Sequence, residues 1–164
     1  MALAANGRDL CPQASEDCVI RCAQRLLGII GEDKIVLDDD DHIFGEYQRH
    51  LSWDEQRVGY VFIKWVHNNR HNPEKRDEVH ISPDPHDLGS FIEFPADPDL
   101  AAFDPDDRMF VAVACTHALH PPILNAVDTD WWLFRDALTR NGVHVEFLCP
   151  RDVEELVRRR HLDR

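Results

Sequence analysis

The sequence predicts an α/β fold in which helices cover both faces of a parallel sheet. Short β-rich runs alternate along the chain with longer helical patterns, which is typical of right-handed strand–helix–strand units. The 164 residues, 43% of them apolar, suffice for one compact domain with a buried core. In such sheets a functional site lies beyond the carboxyl ends of the strands. The residues that follow each predicted strand are therefore the first candidates for function.

Apolar periodicity and capping residues predict the individual elements. Residues 16–30 place apolar side chains on one helical stripe, and Gly31 ends this helix. Ser52 and Glu55 form a capping-box pattern that opens a long helix to about residue 68. Further helices are predicted at about 41–51, 103–119 and 130–140, and a last one from 150. Strands are predicted at 34–37, 78–81, 123–127 and 143–148.

The charge balance excludes a protein that binds nucleic acid passively through a broad basic face. Thirty-one acidic residues against eighteen Lys and Arg give a net charge of −13. The longest apolar runs, such as residues 110–115, are too short to span a membrane, and the first residues do not resemble a secretory signal peptide. We therefore expect a cytoplasmic protein with no membrane partner.

The cysteines and paired histidines are interpreted as structural. Cys18 and Cys22 lie one helical turn apart, but no second pair offers the spacing of a zinc site, so buried thiols in a reducing cytosol are favoured over zinc. His67 and His71 also lie one turn apart without an intervening glutamate of the kind that zinc proteases use.

Acidic residues follow several predicted strands or begin the next helix. Because the carboxyl ends of parallel strands share one edge of a sheet, these carboxylates are expected to converge there. Hard oxygen ligands from separate elements suit Mg²⁺ or Mn²⁺, which can activate water for phosphodiester cleavage. The acidic residues at these positions are Asp38, Asp39, Asp40, Asp41, Glu46, Asp104, Asp106, Asp107, Asp128 and Asp130.

Helix capping explains the same residues without any metal. Asp104 precedes a proline at the first helical position, and Asp107 falls where a capping-box acid would lie. Asp128 is placed to cap the helix that begins near Asp130. The run 38–41 is interpreted mainly as a solvated turn that contains a helix cap. Capping and metal binding both stay open at this point.

Three sequence blocks together resemble a bacterial PIN-like domain. They are Ile-Val-Leu-Asp-Asp at 35–39 with Gly-Glu-Tyr at 45–47, Asp-Pro-Asp-Asp-Arg-Met-Phe-Val-Ala-Val-Ala at 104–114, and Leu-Asn-Ala-Val-Asp-Thr-Asp-Trp at 124–131. The resemblance extends over residues 2–150 and implies a three-layer sandwich with a parallel sheet flanked by helices. Residues 1–150 would form the PIN-like domain, and 151–164 a C-terminal helix with an Arg-rich tail.

The resemblance also implies a Mg²⁺- or Mn²⁺-dependent ribonuclease. Glu46, Asp107 and Asp128 match the catalytic acids of the family, and Asp104 and Asp130 join them as metal ligands. Metal-activated water would hydrolyse RNA phosphodiesters and leave a 5′-phosphate. A toxin-like or RNA-processing enzyme, an antitoxin or other protein partner and a homodimer are what the family suggests.

One departure from the family pattern supports an alternative function. PIN domains open with a central strand that ends in Asp, whereas residues 1–7 resemble the sequence just after that motif, and Asp9 is too far along to replace it. The first strand is therefore expected to be missing, with the natural start upstream or the chain truncated. The alternative is a catalytically silent PIN-like module that binds RNA or a protein partner. Another acidic Mg²⁺-dependent phosphohydrolase or phosphotransferase ranks last.

Substrate contacts are expected from three side chains beside the acids. Arg108 and Arg135 would meet phosphates and Trp131 would stack on a base, although surface ion pairs and a core position are the ordinary roles of such residues. The stretch 77–107 holds ten acids, five prolines and no Lys or Arg. It is interpreted as a proline-stiffened surface connection, with a lid or partner-binding segment as the alternative.

Overall fold

The computed structural model describes residues 1–32, 34–50 and 57–162. No helix in these ranges is long and apolar enough to cross a membrane. The helices are α1 Ala2–Ala5, α2 Glu16–Gly31, α3 His42–His50, α4 Val58–Asn69, α5 Arg108–Thr116, α6 Thr129–Leu133, α7 Arg135–Arg140 and α8 Pro150–Leu162. The strands are β1 Ile35–Asp38, β2 Arg76–Val79, β3 Ile123–Asn125 and β4 Val145–Phe147.

The described strands form two separate two-stranded parallel sheets. β1 pairs with β2 in a register that places Ile35 opposite Arg76. β3 pairs with β4 in a register that places Ile123 opposite Val145. The α/β class and the parallel pairing are confirmed. The expectation of one continuous sheet differs from the structure, because in the described ranges no strand joins the two pairs.

Local sequence explains where most helices begin and end. The Ser15 hydroxyl accepts a hydrogen bond from the Cys18 N–H at 3.2 Å and so caps α2. Gly142, with a φ of +79°, follows α7 as its sequence predicts. The predicted capping box of Ser52 and Glu55 lies outside the described residues, which resume just before α4.

Some elements differ in extent from their predictions. The helix expected over 103–119 begins only at Arg108, because Asp104 and Pro105 open a 3₁₀ turn over Pro105–Asp107. The helix expected over 130–140 is divided into α6 and α7 at Phe134. β2 begins two residues before its expected start, and the periodicity did not predict α1.

Two apolar clusters hold these elements together. The larger packs α2, α4 and β1 around the fully buried Leu26, Ile63 and Leu37. The smaller surrounds Phe103, whose ring meets Trp131 edge-to-face with ring centroids 4.9 Å apart. This smaller cluster packs α6 and α7 against the 3₁₀ turn over Pro105–Asp107.

Buried side chains and ion pairs hold the acidic stretch 77–107 against the rest of the fold. Leu100 and Phe103 are completely buried. The carboxylate of Asp87 accepts a hydrogen bond from Arg108 at 2.6 Å, and the carboxylate of Asp97 accepts one from Arg140 at 2.7 Å. The interpretation as a connection therefore fits better than a free lid.

The expectation that all cysteines are unpaired thiols is wrong. Cys18 on α2 and Cys149 just before α8 form a disulfide across a sequence separation of 131 residues. Cys22 stays free and buried, with its Sγ 4.0 Å from the Sγ atoms of both bonded cysteines. Burial raises the pKa of the Cys22 thiol to about 11. Pairing across such a separation depends on the tertiary fold, which spacing along the chain does not reveal.

A glycine on α4 lets α1 approach closely. The Gly59 N–H donates to Asn6 Oδ1 at 2.7 Å, and a Cβ at this position would lie 2.6 Å from the carbonyl oxygen of Ala2. We predict that Gly59→Ala lowers the free energy of unfolding by about 1–3 kcal/mol. The carbonyl oxygen of Ala2 belongs to the backbone and cannot move away from the added methyl group as the end of a flexible side chain would. Urea unfolding measures this change.

The matched control is Gly28→Ala in α2, where an added Cβ meets nothing within 4 Å. Alanine should stabilise that helix by about 0.5–1 kcal/mol. Equal effects of the two substitutions would contradict the close approach of α1 to α4.

Candidate metal centre

Four carboxylates converge near the carboxyl ends of β1 and β3. Asp107 ends the 3₁₀ turn before α5, and Asp104 opens the same turn. Asp128 follows β3, and Glu46 lies on α3, the helix that follows β1. The charges of Asp128, Asp104 and Glu46 all act on Asp107. These four residues are called the acidic cluster below.

Asp107 is the most perturbed member of the acidic cluster. Its side chain is partly buried, and its Oδ2 accepts a hydrogen bond from the Trp131 indole N–H at 3.0 Å. Burial, together with the neighbouring charges of Asp128, Asp104 and Glu46, raises its pKa to about 7 against the opposing effect of the Trp131 hydrogen bond. The Asp107 carboxyl group therefore gains and loses its proton near neutral pH.

Asp104 and Asp128 also cap the structures that they begin. Asp104 Oδ1 accepts from the Asp106 N–H at 3.0 Å, and Asp128 Oδ1 accepts from the Asp130 N–H at 3.0 Å. The capping interpretation is confirmed for both residues. Each capping hydrogen bond uses only one carboxylate oxygen, so the second oxygen of each residue is left for another role. Asp107 does not act as a capping-box acid, because its carboxylate turns to the Trp131 indole.

Asp128 stands at the solvent-facing rim of the acidic cluster. Partial desolvation raises its pKa, and the charges of Asp130 and Asp104 act in the same direction. The Asp130 N–H and the ammonium group of Met1 oppose this rise. Within the described ranges, no Lys, Arg or His side chain pairs with Asp104, Asp107 or Asp128.

Glu46 is buried and held by its own helix. Its Oε1 lies 2.7 Å from His50 Nε2 and its Oε2 lies 2.6 Å from Arg49 Nη2. The Oε2 contact is an ion pair without hydrogen-bond geometry, so among the described residues this buried oxygen has no hydrogen-bond partner. The buried hydroxyl of Thr129, next to Asp128, likewise has none in the described part of the chain. The buried Thr129 hydroxyl therefore carries a desolvation cost that a hydrogen-bond partner would relieve, whereas the charge of Glu46 Oε2 is offset by Arg49.

Asp130 lies at the edge of the candidate centre. Its Oδ1 is 3.6 Å from Arg160 Nη1 on α8, so its charge is shared with that helix. Within the described ranges, no three of the five predicted acids have oxygens within 4.8 Å of one another. The donors are hard oxygens, and among the described residues Glu46 and Asp130 are the two that have basic partners. Such donors fit Mg²⁺ or Mn²⁺, but they are spaced more widely than in a closed ligand shell.

The run after β1 contains one cap and one exposed group. Asp38 is fully buried, and its carboxylate accepts from the His42 and Ile43 N–H groups at 2.7 and 2.9 Å, as the capping interpretation predicts. Asp39 and Asp40 gather with His80 on the surface. A hydrogen bond from His80 Nδ1 to Asp39 at 2.9 Å raises the pKa of His80.

Sequence reasoning missed this exposed group because His80 follows β2, whose end was predicted two residues later than it lies. The adjacency of β1 and β2 is the signal that would have found it, since Asp39 and His80 each follow one of two paired strands. A second set of potential ligands, Cys18, Cys22 and Cys149, contains the disulfide.

The residues expected to bind substrate lie in less accessible positions. Arg108 is buried and donates to Asp87 and to the carbonyl oxygens of Phe103 and Ala101. Trp131 is buried against Phe103, so its ring is not free to stack on a base.

Arg135 keeps a partly exposed guanidinium group. It donates to the Trp132 carbonyl oxygen at 2.6 Å and lies 4.7 Å from the centroid of the Trp132 ring. Arg108 therefore serves as an ion-pair partner of Asp87 and Trp131 as a core residue. Of the three residues, only Arg135 stays open to solvent.

The raised pKa of Asp107 predicts a pH-dependent stability. The folded protein holds this proton up to about pH 7, whereas an unfolded Asp releases it near 3.8, so stability falls as the pH rises between these values. We predict that Asp107→Asn is more stable than the parent chain at pH 8 by roughly 2–4 kcal/mol, since each unit of pKa shift is about 1.4 kcal/mol. Urea unfolding in EDTA at pH 5 and pH 8 measures this difference.

The exposed neighbour Asp106 provides the matched control. Asp106→Asn should leave the difference between pH 5 and pH 8 within about 0.5 kcal/mol of the parent value. An Asp107→Asn variant less stable than the parent at pH 8 would contradict the repulsion within the acidic cluster.

Comparison with protein-family models, curated proteins and solved structures finds no match for this chain. The resemblance to PIN-like domains therefore stays a prediction from the sequence blocks.

Proposed function

We propose that this protein is a Mg²⁺- or Mn²⁺-dependent ribonuclease of the PIN-like class. The proposal rests on the carboxyl group of Asp107, which has a pKa of about 7 and is acted on by the charges of Asp128, Asp104 and Glu46. A structural cluster of acids would be expected to find basic partners, and within the described ranges Asp104, Asp107 and Asp128 have none.

Five residues would hold the ion: Glu46, Asp104, Asp107, Asp128 and, at the edge, Asp130. When bound, a divalent ion supplies Lewis acidity to a phosphate oxygen and lowers the pKa of water. The protein would orient the carboxylates that hold the ion. The Trp131 indole holds one oxygen of Asp107, and the Asp130 N–H holds one oxygen of Asp128.

The charges around the acidic cluster make phosphate binding depend on the ion. The chain carries a net charge of −13, and the acidic cluster adds a strong local negative potential. A divalent ion reverses the local sign and lets a phosphate approach. Arg49 pairs with Glu46 and is more than half exposed, and we propose that it meets the phosphate.

A catalytically silent module that binds RNA or a protein is the second candidate. The observation that favours it is the wide spacing of the acids, since a two-metal site requires ions about 3.5–4 Å apart and closely shared ligands. The two candidates differ in whether the bound ion leads to cleavage.

We predict that Mn²⁺ stabilises the protein through the acidic cluster. At about 100 times its dissociation constant, a ligand adds about 2.7 kcal/mol, which raises the melting temperature by roughly 5–10 °C for a chain of this size. Asp107→Asn and Asp128→Asn should each remove more than half of this shift in a thermal melt.

Asp39→Asn in the exposed group is the control for this melt, and it should keep the whole shift. Loss of the shift in Asp39→Asn and its retention in Asp107→Asn would place the ion at Asp39, Asp40 and His80 and contradict the assignment.

We predict that single-stranded RNA is cut in Mg²⁺ or Mn²⁺ and stays intact in EDTA, with 5′-phosphate products. Asp107→Asn should lower the cleavage rate at least about 100-fold, because the substitution removes an anionic ligand from the centre. Asp106→Asn should cut at the parent rate. Cleavage in EDTA, or full activity in Asp107→Asn, would refute the proposed enzyme, and ion binding without cleavage would favour the silent module.

A further inference from the structure

Four of the five cysteines gather in the larger apolar cluster. Cys18 and Cys22 lie one turn apart on α2, Cys149 directly precedes α8, and Cys11 lies in the segment between α1 and α2. None of these four side chains is more than 6% exposed. The fifth, Cys115, packs against the smaller apolar cluster instead. The fold thus brings together sulfur atoms of which spacing along the chain shows only one close pair.

The sulfur of Cys22 lies at the distance that a shared metal ion requires. It is 4.0 Å from the Sγ of Cys18 and 4.0 Å from the Sγ of Cys149. Zinc binds thiolates tetrahedrally with Zn–S bonds of about 2.3 Å, which places two sulfur ligands about 3.8 Å apart. Cys18 and Cys149 share a disulfide in this structure. Because only a thiolate ligates a metal, the set becomes a ligand set once that bond is reduced.

Cys11 adds a fourth buried thiol beside the other three. Burial is the main cause of the raised pKa of the Cys22 thiol, and the charge of Cys11 adds to it, so the two side chains are close. The Cys11 N–H donates to the Gly7 carbonyl, and the Cys11 carbonyl accepts from the Ala14 N–H, both at 3.0 Å. These bonds lie within one short segment, so a small shift of Cys11 toward Cys22 leaves α2 in place. Structural zinc sites are closed by four protein ligands.

Two helix N-termini lie at the sulfur atoms. Cys18 is in the first turn of α2, and the Cys149 carbonyl accepts from the Val153 N–H of α8 at 3.2 Å. The positive end of a helix dipole favours the thiolate over the thiol. Asp152 in the first turn of α8 acts on Cys22 in the opposite direction. A divalent cation among the sulfur atoms offsets the charge of Asp152 and of the thiolates together.

The starts of α2 and α8 are held together by more than the disulfide. The Ser15 N–H, at the N-cap of α2, donates to Asp152 Oδ2 on α8 at 2.8 Å. Val153 of α8 is completely buried, and Leu156 packs against the larger apolar cluster. Reduction of the disulfide therefore leaves the two released thiols side by side.

We propose that the reduced chain holds one Zn²⁺ ion in a closed tetrahedral site of four thiolates: Cys11, Cys18, Cys22 and Cys149. A dithiol reductant supplies two electrons and two protons to the disulfide, releases two thiols and closes to its own disulfide. Zn²⁺ then displaces one proton from each of the four thiols. The ion joins α2, α8 and the segment before α2, so its role is structural. This inference concerns sulfur ligands and is independent of the proposed ribonuclease and its oxygen ligands.

Co²⁺ titration of the full chain tests the site, after reduction with dithiothreitol and its removal under nitrogen. Co²⁺ takes the place of Zn²⁺, and its bonds to thiolates give an intense near-ultraviolet charge-transfer band that oxygen ligands do not give. We expect this band, and the visible bands of a tetrahedral ion, to saturate at one Co²⁺ per chain. One equivalent of Zn²⁺ should remove them. The chain with its disulfide intact should give no such band.

Single substitutions assign the ligands. Cys22→Ser and Cys11→Ser should each weaken Zn²⁺ binding, measured by competition with Co²⁺, by more than the about 10–100-fold that loss of an outer-shell partner costs. Cys115→Ser is the matched control and should bind as the parent chain does. Cys22→Ser keeps the disulfide when oxidised, so an unchanged urea midpoint in that form would show that the variant folds.

Three results would overturn the proposal. A reduced chain without the charge-transfer band, or a Cys22→Ser variant that keeps the band at parental affinity, would show that the four cysteines are core residues and bind no metal together. Parental affinity in Cys11→Ser, with loss in Cys22→Ser, would show that Cys11 is not the fourth ligand and that the closed site of four thiolates is wrong.

Discussion

Repulsion among the carboxylates of Asp104, Asp107, Asp128 and Glu46 is the constraint on which the candidate site depends. Each residue is placed by an element with its own structural reason: a 3₁₀ turn, a cap of α6, and the helix after β1. Burial of Asp107 and the charges of the other three carboxylates together raise the pKa of Asp107 to about 7. Binding of a proton relieves this repulsion, and binding of the proposed cation would do the same.

Two members of the acidic cluster line a cavity of about 450 Å³ that both strand pairs also line. Asp107 and Asp128 line the same cavity as Val36 and Leu124, so the place where carboxylates gather is also where the two sheets stay apart.

Periodicity and capping were enough to predict the main helices, the four strands and their parallel pairing. The sequence could not show that Asp104 and Pro105 delay α5, because a 3₁₀ turn and a first helical turn share the same capping residues. Nor could it show the partner of Trp131, since the contact with Asp107 joins residues 24 positions apart. The Cys18–Cys149 disulfide and the burial of Arg108 likewise arise from tertiary packing.

We propose that Asp107 belongs to a cation-binding cluster of repelling carboxylates. An NMR titration of the Asp107 side-chain carboxyl carbon, first in EDTA and then in saturating Mg²⁺, tests this proposal directly. We expect a pKa of about 7 without the ion, and a decrease to below about 5 with it, because the ion favours the charged carboxylate. A pKa near that of a free Asp in EDTA, or one that Mg²⁺ leaves unchanged, would refute the proposal.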